Sequence, residues 1–117
     1  MLMRRQIVRV PEPHIGSLAA LVLLHRLYRR AELDRWLAFR DALMDECEAS
    51  CGVLVCSYCG RSPLLREQPD WTYRQPENLA TIDHIVPVSK GGSRFDRKNC
   101  ALACYGCNQR KGDRMPA

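Results

Sequence analysis

The segment that decides the fold reads Ile82-Asp83-His84-Ile85-Val86-Pro87-Val88-Ser89-Lys90-Gly91-Gly92. It is bracketed by two cysteine pairs, Cys56-Ser57-Tyr58-Cys59 before it and Cys104-Tyr105-Gly106-Cys107 after it. A C-x-x-C turn aims two sulfurs at one ion, and two such turns complete a tetrahedral four-cysteine site. Four thiolates close the coordination shell, so Cys56, Cys59, Cys104 and Cys107 are expected to hold a structural Zn2+. An iron–sulfur cluster is the weaker alternative for the same sulfurs. A thioredoxin-like pair would need a βαβ context that is absent here, and haem attachment a histidine where Gly60 and Asn108 stand. The excursion between Cys59 and Cys104 is longer than a minimal zinc ribbon, so it must contain folded material of its own.

Outward from this segment, Ala80 to Val86 reads as a strand stopped by Pro87, and Ser89 to Ser93 as a glycine turn. Asn99 to Ala103 reads as a short return strand, and Cys104 to Arg114 as a helix. Residues 61–78 are polar, carry Pro63, Pro69 and Pro76, and read as a loop or insertion. Val53 to Cys56 suggests a short strand entering the first cysteine turn. Upstream, Ser17 is a plausible N-cap for a helical pattern over Leu18 to Ala49 that Gly52 terminates. Leu18, Leu21, Val22, Leu24 and Tyr28 share one broad face, and Leu33, Trp36, Leu37, Phe39, Leu43 and Met44 continue it. One bent helix or two, with a break near Arg30–Asp34, fit equally. Glu32, Asp34, Asp41, Asp45, Glu46 and Glu48 make the second half acidic, a face expected to point away from phosphate. The division is a helical extension over residues 1–52 followed by a second domain over 53–117, in the α+β class.

With 117 residues the chain buries one modest core, the size at which a metal staple is useful. A formal charge of +5 suits a polyanionic partner, nucleic acid first among them. Seven cysteines, an odd number, with no visible secretory signal, argue for metal binding over a disulfide framework and for a reducing, cytoplasmic setting. The apolar stretch Leu18–Leu24 is much shorter than the ~20 residues of a membrane span, so no membrane is expected. Cys47, Cys51 and Cys100 are expected to pack as small hydrophobes. Trp36 and Trp71 are expected to pack as well, with base stacking by Trp71 the lesser alternative. His14 and His25 have no partner motif, and Arg4, Arg5 and Arg9 form a candidate basic arm.

Taken in order, the C-x-x-C, the Asp83-His84 pair with its hydrophobic pair and Pro87, the Gly91-Gly92 turn, Asn99, and the second C-x-x-C followed by Asn108 and Lys111 resemble the HNH endonuclease family. The resemblance covers about Cys56 to Lys111 and implies a ββα-metal core, two strands and a helix around one metal ion. It implies that His84 is the general base, Asn99 orients the histidine loop, and Asp83 and Asn108 bind the catalytic metal. The last motif position is Asn108 and not histidine, an H-N-N variant. Two oxygen donors favour Mg2+ or Mn2+ there over zinc. The activity implied is metal-dependent hydrolysis of phosphodiester bonds, in DNA first and RNA second, in a bacterial or phage-infected cytoplasm by analogy. Lys90, Arg94, Arg97, Lys98, Arg110, Lys111 and Arg114 surround the motif and are expected to contact phosphates. The rival readings are a catalytically silent zinc-stabilised binding module, and a nuclease active only in an assembly, joined to a protein partner or a second copy through the N-terminal helical segment.

Overall fold

The computed structural model describes residues 17–71 and 73–116; His14 and the candidate arm Arg4, Arg5 and Arg9 lie outside the described residues. The first element, α1, is one unbroken helix over Leu18–Cys51. No glycine or proline stands between Ser17 and Gly52, so nothing interrupts the backbone ladder, and the break considered near Arg30–Asp34 does not occur. An i,i+4 ion pair at 3.5 Å joins those two residues across one turn. The Ser17 hydroxyl accepts the Ala20 amide at 3.4 Å. Gly52, at φ 83°, closes the helix by donating to the Glu48 carbonyl at 2.7 Å.

The chain divides into two compact units at Arg35/Trp36, within α1. The expected boundary at 52/53 followed the change in composition at Gly52. The contacts divide earlier because the last turns of α1 belong to the second unit's core. There Leu43 and Met44 are buried, with Trp36, Phe39 and Cys47 packed around them at helical spacing. Leu54, Leu64, Ile82, Leu102 and Ala103 complete that core.

The centre of the second unit is an antiparallel hairpin, β1 (Ala80–His84) and β2 (Cys100–Cys104), in the register Ala80↔Cys104 to His84↔Cys100. β1 stops two residues earlier than expected. The Ile85 amide donates to the Asn99 carbonyl and the Val86 amide to the Asn99 side chain, which bends the chain before Pro87. Alternation along β1 places Ile82 and His84 on one face, Thr81 and Asp83 on the other. The helix α2 (Tyr105–Lys111) follows β2 without a loop, and its N-cap Cys104 accepts the Cys107 amide through sulfur at 3.4 Å. It packs against both strands, bonding to Thr81 and Asp83. Two strands and a helix, preceded by α1, make the α+β architecture expected.

Three local expectations are corrected. Val53 to Cys56 is not a strand: Cys56 pairs locally with Gly60 and Arg61 to form the cysteine knuckle, and Leu54 accepts from Leu64. Cys51 and Trp71 do not pack. Cys51 faces solvent at the last turn of α1, and Trp71 is 84 % exposed on the 61–78 loop, outside the core cluster. That loop is irregular but anchored, with Leu64 buried and Leu65 bonded to both Asn78 and Ala80. Its Arg66 gathers Asp41, Asp45 and Glu48 of α1, so part of the acidic face is neutralised within the protein.

Candidate metal centre and nucleic-acid interface

The two cysteine knuckles converge. The sulfurs of Cys56, Cys59, Cys104 and Cys107 all lie within 4.8 Å of one another, and those of Cys59 and Cys104 are 3.9 Å apart. Tetrahedral zinc with ~2.3 Å bonds to sulfur needs about 3.8 Å between sulfurs, so the cluster fits that ion. Each knuckle is built by local backbone. Gly60 adopts φ 77° and returns its amide to the Cys56 carbonyl, while the Ser57 amide docks the turn on Leu102 of β2. Burial opposes ionisation of Cys56, yet backbone amides of Cys59 and Tyr58 directed at its sulfur outweigh it and bring the thiol down to about 6. Burial and proton sharing with Cys104 and Cys59 push Cys107 up to about 12. Without a cation, four sulfurs this close cannot all be thiolates; a divalent ion takes the place of their protons.

A second site lies at the looped end of the hairpin, where His84 pairs with Cys100. Asp83, His84 and Asn108 line one shallow cleft of about 180 Å³, together with Pro87, Val88 and Asp113. Asp83 and His84 point to opposite faces of β1, but His84 is the last strand residue, where the sheet no longer separates them. Asp83 is only 4 % exposed. Its Oδ2 accepts the Tyr58 hydroxyl at 2.5 Å and meets Lys111 Nζ at 3.4 Å. No described group donates to its Oδ1, so a buried carboxylate oxygen is left for a cation. Burial and the bond to Asp83 raise the Tyr58 phenol above its ordinary pKa. Asn108 donates its amide nitrogen to Thr81 Oγ1 at 3.0 Å, and Thr81 donates on to the Ala103 carbonyl. That chain fixes which end of the amide is nitrogen and leaves the amide oxygen as the free acceptor. A carboxylate and an amide oxygen are the hard donors that Mg2+ or Mn2+ prefers.

His84 Nε2 lies 3.0 Å from the Arg94 carbonyl. A carbonyl only accepts, so Nε2 carries the hydrogen, and in the neutral ring Nδ1 holds the lone pair. The ring rests beside Trp36 of α1, centroids 5.4 Å apart, and the Arg94 guanidinium sits over the same indole at 5.2 Å. Trp36 stacks in turn on Phe39, with Phe95 edge-on to both. Asn99 holds the turn beyond β1 by three side-chain bonds. It accepts the Val86 amide at 2.8 Å and donates to the carbonyls of Val86 and Ser93, each at 3.0 Å. Gly91 adopts φ 94°, and Gly92 lies so close to the Val86 carbonyl that a side chain has no room.

The basic residues singled out from sequence are placed differently from one another. Lys90 and Lys98 are exposed and pair with no described carboxylate. Arg94 covers Trp36. Arg97 is held by Glu46 at 2.7 Å and by the Cys100 carbonyl, and Arg110 by Glu77 and the Cys107 sulfur. Arg114 donates to the Arg110 carbonyl. Lys111, with a side chain only 16 % exposed, is at Asp83 and the His84 carbonyl. Sequence reading missed Tyr58 as a partner of Asp83 and Trp36 as a neighbour of His84. Nothing in local spacing signals either, because the partners lie 25 and 48 residues away.

Among the described residues, no helix is long and apolar enough to cross a membrane. No curated protein and no solved structure matches the chain. Comparison with protein-family models matches residues 56–114, half of the chain, to the HNH endonuclease domain. The match spans both cysteine knuckles, the hairpin with Asp83 and His84, and the helix with Asn108, so the chain belongs to the HNH endonuclease family, whose members act on nucleic acid.

Proposed function

We propose that this protein is an endonuclease that hydrolyses phosphodiester bonds of DNA with one divalent metal ion and His84 as general base. The observation that carries the reading is the cleft at the end of β1, where a histidine anchored through Nε2 stands beside a buried carboxylate and an amide side chain. Asp83 and Asn108 would hold Mg2+ or Mn2+, which when bound supplies Lewis-acid stabilisation of the phosphate and leaving oxygens. His84 takes the proton of the attacking water at Nδ1, and the Arg94 carbonyl steadies the imidazolium through Nε2–H. The water oxygen bonds to phosphorus as the P–O bond to the leaving oxygen breaks, and the leaving oxygen is protonated from solvent. Asn99 keeps the Val86–Ser93 turn, and with it the cleft, in register. Zinc in the cysteine cluster fastens the knuckle carrying Tyr58 to the start of α2, so one ion supports the residues that hold the other. Lys90 and Lys98 are free for phosphate contacts of the kind that position a duplex without reading sequence.

The test is conversion of supercoiled plasmid to nicked or linear forms by zinc-loaded protein with Mg2+ or Mn2+, with an RNA of equal length alongside. EDTA removes structural zinc as well, so the control is restoration by zinc plus Mg2+, compared with zinc alone. No cleavage with either metal in folded, zinc-loaded protein contradicts the proposal. A second reading, activity only within an assembly, draws on Leu23, Leu24, Leu27 and Tyr28 of α1, all more than half exposed. A concentration-independent monomer mass on a sizing column that also cleaves plasmid contradicts it.

A further inference from the structure

The ammonium of Lys111 is placed where a cation is wanted. It lies 3.4 Å from Asp83 Oδ2 and 3.2 Å from the His84 carbonyl, with most of its side chain buried. Asp83 is 4 % exposed, so an unbalanced charge there would be costly. Tyr58 holds the same oxygen, and the second oxygen, Oδ1, has no donor among the described residues. The carboxylate is therefore already neutralised and already oriented before any ion arrives.

We propose that Lys111 is a built-in counter-cation that weakens the affinity of the Asp83–Asn108 site for a free divalent ion and makes ion and phosphate binding cooperative; this rests on the reading of Asp83 as a metal ligand. The physical reason is charge. A divalent ion entering beside Asp83 meets a positive group a few ångströms away, in a site poorly screened by solvent. A phosphate brings negative charge to the same place, offsets that repulsion, and offers the ammonium a new partner. Ion and phosphate then each strengthen the binding of the other by the same factor. Arg97 and Arg110 cannot take this role, since each is engaged away from Asp83, by Glu46 and by Glu77.

The experiment is calorimetric titration of Mn2+ into zinc-loaded His84→Ala protein, whose cleavage under the proposed mechanism is slowed by about 10²–10⁴. It is run with and without a short DNA duplex, in Lys111, Lys111→Met and Lys111→Arg forms. The expected result is Mn2+ binding about tenfold tighter in Lys111→Met without DNA, unchanged within about threefold in Lys111→Arg, and a smaller gain on adding duplex in Lys111→Met than in its parent. Circular dichroism and zinc content verify folding, and Lys111→Arg keeps the test decisive if the methionine form does not fold, since a retained charge must retain the duplex-dependent gain. Mn2+ affinity unchanged or weaker in folded Lys111→Met, or a duplex gain lost in Lys111→Arg, overturns the inference while leaving the site in place. Mn2+ binding insensitive to Asp83→Asn overturns the site itself and the inference with it.

Discussion

Gly92 offers the sharpest separation of backbone geometry from backbone freedom. A Cβ built there falls inside the Val86 carbonyl oxygen, 2.7 Å from the Val86 carbonyl carbon and 2.8 Å from Asn99 Nδ2. An ordinary contact is 3.4 Å or more, so the Val86 carbonyl carbon must retreat by about 0.7 Å and its oxygen by more. It cannot do so freely, because Asn99 clamps both its amide and its carbonyl. Gly92→Ala therefore combines overpacking, about 1–3 kcal/mol, with loss of one or two hydrogen bonds at about 0.5–1.5 kcal/mol each. The sum is about 3 kcal/mol. Gly91→Ala is the control: its φ of 94° is unfavourable for alanine, but nothing lies within 4 Å of the added carbon, and the cost is about 1–2 kcal/mol. Thermal unfolding in excess zinc should show Gly92→Ala melting about 10–20 °C below the parent, with Gly91→Ala in between. Because His84 enters this turn, displacement near 1 Å should also lower plasmid nicking about a hundredfold. A Gly92→Ala protein as stable as Gly91→Ala, or melting with the parent, refutes the reasoning.

Further outcomes are expected from other contacts. Asn99→Ala deletes three side-chain bonds to the histidine turn and should reduce cleavage about a hundredfold with zinc content unchanged; full activity would show that the turn holds itself. Cys104→Ser removes one of the four converging sulfurs, which also caps α2, so metal analysis should find bound zinc lost, with both solubility and activity falling; a soluble, fully active variant contradicts the staple. Trp36→Ala removes the wall beside His84 and the platform under Arg94, and should lower kcat about tenfold more than it raises KM, with Trp36→Phe recovering most of the loss; an unchanged kcat rules out a positioning role.

What was legible in the sequence was what local spacing encodes. Two C-x-x-C pairs need no knowledge of the fold to suggest one ion, and the structure brings their four sulfurs together. The strand carrying Asp83 and His84, the return strand and the following helix were readable because Pro87 and the glycine pair punctuate them. The run Val53-Leu54-Val55-Cys56 misled because its composition is that of a strand, while its backbone bonds serve the knuckle. Arg97, Arg110 and Lys111 looked alike as charges. Their differences lie in Glu46, Glu77 and Asp83, partners set by packing over distances no periodicity reports. Likewise, Trp36 could be expected to be partly buried, but not to stand beside the histidine.

The central claim, that His84 drives cleavage in a metal-dependent site, is tested most directly by single-turnover cleavage of an end-labelled DNA duplex. Zinc-loaded parent and His84→Ala proteins are compared at saturating Mg2+. The expected result is a rate in His84→Ala lower by about 10²–10⁴, with duplex affinity and zinc content preserved. Equal rates in the two proteins would contradict it.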